Sequence, residues 1–264
     1  MRQATVVTLV NQKGGVGKTT SAINLAAAVA LLGKKALLVD SDPQGNASSG
    51  LGIDVKGMGY HLYHCFIEES KVYQAIRPAM DNLNILPTHI DLVGIEVELI
   101  NASRRERYMA DMLEPLRGEY DYIFIDCPPS LGLLTINALT AADSVIIPLQ
   151  CEYFALEGLS QLIRTVRLVK NSYNPKLTIE GILLTMFDRR NRLTYKVAKD
   201  VKKHFGRTVF NTVIPRNVRL SECPSFGKPI LIYDPKSAGA LAYNNLAREF
   251  IERREAAARA RNAA

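Results

Sequence analysis

Lys13-Gly14-Gly15-Val16-Gly17-Lys18-Thr19-Thr20 is the stretch whose residue types and spacing can do chemistry. Closely spaced glycines let backbone N–H groups turn inward around phosphate oxygens, and a helix starting there adds the positive end of its dipole. In such a phosphate loop the lysine reaches the β- and γ-phosphates and the next hydroxyl binds Mg²⁺. Lys18 and Thr19 hold those places. The usual spacing puts a glycine five residues before Gly17, but Gln12 stands there with a second lysine, Lys13, beside it. One nucleotide bound in cis hardly needs both lysines.

Two carboxylate stretches complete the chemistry. Asp40-Ser41-Asp42-Pro43-Gln44-Gly45-Asn46 follows the apolar run from Lys35 to Val39, and Asp126 ends the apolar run Tyr122-Ile123-Phe124-Ile125. A hydrophobic strand ending in a carboxylate is the second half of a P-loop ATPase site, where it holds Mg²⁺ or its water. Two aspartates in a turn are ordinary turn chemistry when taken alone. Paired with the glycine loop they acquire a metal to serve.

These residues need elements to position them. Ala4 to Val10 reads as a strand before the loop, and Ser21 to Leu32 as a helix after it, stopped by Gly33. Strand, glycine loop and helix are the context that a phosphate loop requires. In an open parallel sheet, ligands sit beyond the carboxyl ends of strands, which puts Asp40, Asp42 and Asp126 near the phosphates. Pro43 and Gly45 are expected to keep the loop after Asp40 off any helix. Further strands are expected at 83–86, 144–148 and 178–185, and helices at 103–116, 131–141, 155–170, 194–204 and 237–261. Residues 51 to 118 carry the least pattern, and no linker divides the chain, so one domain over 1–264 is expected, with 255–264 a frayed helical tail.

Composition sets bounds. At 264 residues and 47% hydrophobic, the chain can fill a substantial core. No apolar run approaches the ~20 residues of a membrane span, and the N-terminus has no signal-peptide pattern, so a cytoplasmic protein is expected. Cys65, Cys127, Cys151 and Cys223 are scattered without a CxxC pair and read as buried small apolar residues. The net charge of +7 is uneven. Between Asp188 and Arg219 stand ten Lys/Arg against two acids, leaving a net of −1 for the rest. Such a segment suits a polyanion. Within it Lys196, Lys199 and Lys203 share one helix face opposite Val197, Ala198 and Val201.

The chain resembles the ParA/Soj family of partitioning ATPases, in the deviant Walker A (MinD-like) group. The likeness runs through Lys13 to Thr20, Asp40 to Asn46 and Ile125 to Ser130. It continues through Leu184 to Asp188, Val213 to Glu222 and Gly227 to Ile230. The resemblance implies a doubly wound α/β fold with a mostly parallel sheet, binding Mg·ATP in a nucleotide-sandwich homodimer. Lys13 then matches the lysine that reaches the partner's nucleotide, and Gly14 the glycine that permits close approach. Gly15, Val16, Gly17, Lys18, Thr19 and Thr20 cradle the phosphates. Asp42 positions the attacking water, Thr19, Asp42 and Asp126 serve the metal, and Glu152 lies near the partner's ribose. Met186, Pro215 and Asn217 match positions near adenine. Arg190 and Arg219 match arginines that bind double-stranded DNA without sequence preference, and Lys196, Lys199, Lys203 and Arg216 belong to the same basic segment. Hydrolysis stimulated by a ParB/Spo0J-type centromere-binding protein would free the DNA, which implies a bacterial cytoplasmic, nucleoid-associated protein.

Other readings make different demands. A related ATPase moving another cargo would share these motifs. A membrane-cycling division-site ATPase needs a bulky apolar C-terminal helix, which the Ala/Arg-rich tail does not supply. An iron–sulfur relative needs cysteines that share a cluster, and a metabolic kinase needs an acceptor pocket. With ten residues before Asn11, no N-terminal helix-turn-helix region and no autorepression are expected.

Overall fold

The computed structural model describes residues 3–68 and 71–262. Seven strands, β1 (Thr5–Leu9), β2 (Ala36–Asp40), β3 (Arg77–Met80), β4 (Leu83–Leu86), β5 (Tyr122–Asp126), β6 (Ser144–Gln150) and β7 (Thr178–Thr185), form one sheet in the order β3-β4-β2-β5-β1-β6-β7. All neighbours pair in parallel except β3 and β4. Antiparallel β3 is a short edge strand containing Pro78, a residue that edges tolerate.

The central strands are apolar on both sides because helices cover both faces. Alternation sends Val6, Ile123, Ile125 and Ile147 into one core, and Val7, Leu9, Phe124 and Ile146 into the other. The helices are α1 (Lys18–Leu31), α2 (Asn46–Gly50), α3 (Leu62–Ile67), α4 (Val72–Ala75), α5 (Ile95–Glu98), α6 (Tyr108–Leu113), α7 (Leu133–Ala141), α8 (Ala155–Ser172), α9 (Arg192–Phe205), α10 (Val218–Glu222), α11 (Ile230–Tyr233) and α12 (Ala238–Asn262). Buried residues of α3, α6, α7, α8 and α9 fill the first core, and those of α1 and α12 the second. The alanines of α1, from Ala26 to Ala28 and at Ala30, let α12 come close, with Phe250 against Tyr122 and Phe124.

Two expectations need correction. The helix expected from Ser103 begins only at Tyr108 and gives way at Glu114 to a tighter 3₁₀ turn. Asn137 explains the late start, since its Nδ2 donates to the Arg105 carbonyl and its Oδ1 accepts from the Met109 N–H. The loop after Asp40 does enter a helix, α2, at Asn46, with Gly45 in the left-handed conformation (φ 65°) as its cap. The tail is helical to Asn262 and exposed from 256 to 260, and residues 263 and 264 lie outside the described residues. No described helix is long and apolar enough to cross a membrane.

Candidate nucleotide site

Register places the site. Leu9 and Asp40 both pair with Asp126, so β1, β2 and β5 end at one level, and the glycine loop leaves from β1 at that edge. Asn11, buried after β1, donates from Nδ2 to the Pro148 carbonyl (2.7 Å) and accepts from the Lys13 N–H (3.0 Å). On the other side Thr185 Oγ1 donates to the Val16 carbonyl (2.8 Å). Gly15 (φ 73°) and Gly17 (φ 83°) take the left-handed turns that bring the chain into α1.

The two lysines of the loop have different situations. Lys18 is 6% exposed and its Nζ donates back across the loop to the Lys13 carbonyl (3.2 Å). Burial lowers its pKa, and the charges of Asp126, Cys127 and Asp42 work against that. Lys13 is exposed and forms an ion pair with Glu152, in the segment after β6. Lys18 serves its own loop, whereas Lys13 stands at the rim.

The carboxylates are tightly built. Asp40 Oδ2 accepts from both the N–H and the hydroxyl of Ser48, each at 2.7 Å, while its Oδ1 has no partner among the described residues. Burial pushes the Asp40 carboxyl up to about 6, against these hydrogen bonds. Asp126 is fully buried with both oxygens unpartnered among the described residues. Burial, then the charge of Asp40, raises it well above the usual carboxylate range, while the Thr19 hydroxyl and Lys18 pull it down. Asp42 is buried in a turn, where its Oδ1 accepts from the Gln44 N–H (3.0 Å). Two orphaned oxygens on Asp126 beside the Thr19 hydroxyl and Asp42 form an all-oxygen donor set that fits a hard cation such as Mg²⁺.

A cavity of about 530 Å³ opens beside the loop, lined by Gly17, Thr20, Met186, Pro215, Arg216 and Asn217 among others. The structure thus brings together the three positions expected near a base, from the ends of β7 and of the segment that follows α9. Met186 sits at a positive φ of 48°, a strained conformation of the kind that concentrates at ligand sites. A neighbouring groove of about 910 Å³ is lined by Arg189, Arg190 and again Arg216. Lys196, Lys199 and Lys203 lie exposed on α9 while Val197, Ala198 and Val201 are buried.

Arg190 and Arg219 are engaged by acids. Arg190 grips both oxygens of Asp188 and holds its carboxyl down at about 2. Arg219 stands apart from that groove, paired with Glu222 (2.9 Å) and Asp234 (3.5 Å). Sequence reasoning missed Asn11, Ser48 and Thr185, which hold the loop and Asp40 in place. Their only signal is polarity within runs that must be buried.

Residues 4–179 match the family model described as an AAA domain. The chain is 55% identical over 251 residues to the chromosome partitioning protein ParA of Caulobacter vibrioides, covering 94% of each chain. It is 54% identical to the chromosome-partitioning ATPase Soj of Treponema pallidum over 92% of this chain and 96% of that one. A crystal structure of cobyrinic acid a,c-diamide synthase from Mycobacterium smegmatis with bound ADP and magnesium superimposes with a TM-score of 0.82, at 36% identity and 93% coverage of each chain.

Proposed function

Because this chain belongs to the ParA/Soj family of chromosome-partitioning ATPases, in the MinD/ParA group of P-loop NTPases, we propose that it uses ATP as a timed switch for holding DNA. The loop amides and Lys18 hold the phosphates. Thr19, Asp126 and Asp42 would hold Mg²⁺, which would neutralise charge on the phosphate oxygens. Met186, Pro215 and Asn217 wall the base. Asp42 orients the attacking water, its turn fixed by the Gln44 amide.

Lys13 and Gly14 speak for a second subunit. A Cβ on Gly14 would meet nothing within 4 Å among the described residues, and its φ is not positive, so none of them requires glycine there. A closely apposed copy does. On dimerisation Lys13 exchanges Glu152 for the partner's phosphates, and Glu152 turns to the partner's ribose. Two triphosphates brought face to face need that added positive charge.

One observation carries the DNA reading: Arg216 lines both the cavity beside the phosphate loop and the arginine groove. The cavity beside the loop and the arginine groove therefore share a wall. The basic segment, with Arg190, Lys196, Lys199, Lys203, Arg216 and Arg219, binds phosphate backbone without sequence preference. A centromere-binding protein of the ParB/Spo0J kind stimulates hydrolysis, the dimer parts and the DNA is released. A single domain, residues 1–264, performs the cycle at the nucleoid in the bacterial cytoplasm.

Binding to a nonspecific duplex with ATP, with ADP and without nucleotide, across a salt series, tests this. The expected result is binding with ATP only, falling steeply as salt rises. ATP binding with no DNA binding in any state would reduce the basic segment to a solvated face.

A further inference from the structure

Three of the chain's four histidines meet at one corner of the fold. His61 caps α3, His64 follows one turn later, and His89 comes shortly after β4. The His61 ring centroid lies 4.3 Å from that of His64 and 5.2 Å from that of His89. Asp91 joins them, with its Oδ2 2.9 Å from His89 Nδ1. One ligand atom from each of His61, His89 and Asp91 lies within 4.8 Å of the others.

A second observation points to a ligand. His61 is 4% exposed, and its buried Nδ1 makes no hydrogen bond of good geometry among the described residues, although the His64 N–H faces the His61 side chain across the start of α3. Buried polar atoms ordinarily find a partner, so an orphan in this position asks for an explanation. The backbone keeps the cluster together, since the Leu62 N–H donates to the Pro87 carbonyl (2.9 Å) and so ties the start of α3 to the segment carrying His89.

We propose that His61, His89 and Asp91 form a binding site for a transition-metal cation of the Zn²⁺ class, with His64 at its edge. Imidazole and carboxylate together suit Zn²⁺ or Co²⁺, whereas Mg²⁺ takes oxygen ligands. Ligand distances of about 2.0–2.2 Å put tetrahedral donor atoms about 3.4 Å apart, so groups now within 4.8 Å of one another must shift by about 1 Å. That movement falls to Asp91, with its side chain 57% exposed, and to His89 rather than to buried His61. Three protein ligands leave a fourth position open. The site is distinct from the oxygen set at Asp126 and Asp42. The two are joined through Thr88, whose N–H donates to Ser48 Oγ (3.2 Å), and Ser48 in turn holds Asp40.

The test titrates untagged full-length protein, saturated with Mg·ADP, with Co²⁺ and then Zn²⁺. One equivalent of Co²⁺ should give visible d–d absorption that Zn²⁺ removes, and a chromogenic chelator should report Zn²⁺ affinity. His61→Ala and Asp91→Asn should each weaken Zn²⁺ binding by at least about tenfold, while His204→Ala binds as the parent does. Far-UV circular dichroism checks folding, and exposed Asp91 keeps the test standing if His61→Ala fails to fold. No stoichiometric binding at micromolar Zn²⁺ would overturn the proposal. So would binding undiminished in Asp91→Asn and in every folded His61 variant, because the ion would then sit elsewhere.

Discussion

Asp42 shows how much one turn can demand of a carboxylate. It is 7% exposed, close enough for its charge to act on Lys18 and Asp126, and fixed by the Gln44 amide rather than by a salt bridge. A group in that position can orient water without being consumed by an ion pair. Asp42→Ala is expected to keep ATP affinity within a few fold while hydrolysis falls by about 10²-fold or more, the scale of a lost positioning or general-base group. Single-turnover hydrolysis alongside equilibrium ATP binding measures both. Unchanged turnover would remove Asp42 from the chemistry. Lys13 and Lys18 make the complementary point. Five residues apart, they differ in burial and partner, and only the buried one reaches back into its own loop.

At the scale of elements, α12 holds one wall of the cavity beside the glycine loop, which Tyr243 lines. Glu249 accepts N–H bonds from Asn211 (2.7 Å) and Thr212 (2.8 Å), just before Ile214 to Asn217, and from Arg253 (2.6 Å). Burial opposes ionisation there, yet these donors prevail and hold Glu249 below its ordinary pKa. A folded pKa below the unfolded one means that the contribution is fully present above the usual carboxylate range. It is lost as pH falls through the folded value. Glu249→Gln is therefore expected to cost about 1–3 kcal/mol at pH 7, with the deficit shrinking as pH drops below about 4. Urea unfolding of both proteins across pH measures it, and a deficit independent of pH would show that the carboxylate charge is not what holds the loop. The same scale explains the late start of α6. A side chain from α7 captured the preceding backbone, and tertiary contact overrode local helix preference.

Across the whole molecule the charge is segregated, and the structure gives the segregation a form. Lys196, Lys199 and Lys203 share the exposed side of α9, while Arg189, Arg190 and Arg216 line a groove beside the cavity. Arg219 and Arg190 are engaged by acids and must exchange those partners to meet phosphate. The three lysines are a cleaner test, because they face solvent along one side of a single helix. Replacing all three with alanine is expected to leave ATP binding unchanged and to flatten the slope of log K against log salt. Every lysine that neutralises a DNA phosphate contributes about 0.9 to that slope, so the change reaches about 2.7 per subunit, or about 5.4 for a dimer, if all three touch DNA. An unchanged slope would assign the phosphate binding to the arginines.

What the sequence determined by itself is what short spacing encodes. Glycines and a lysine between a strand and a helix mark the loop after β1, and carboxylates closing apolar strands mark the acids that gather at the same sheet edge. Period-2 and period-3.6 patterns marked most of the elements, but within 51–118 they placed only β4 correctly, because the helices there are short and β3 is an edge strand. The tertiary structure alone decided what meets across long separations: Gly17 and Thr20 with Met186, Pro215 and Asn217, Asn11 with Pro148, Lys13 with Glu152, and His61 with His89. No local period records such meetings. They follow from the register of parallel strands, whose crossovers bring residues far apart in the chain to one edge, and from packing that leaves each polar side chain only a few partners within reach.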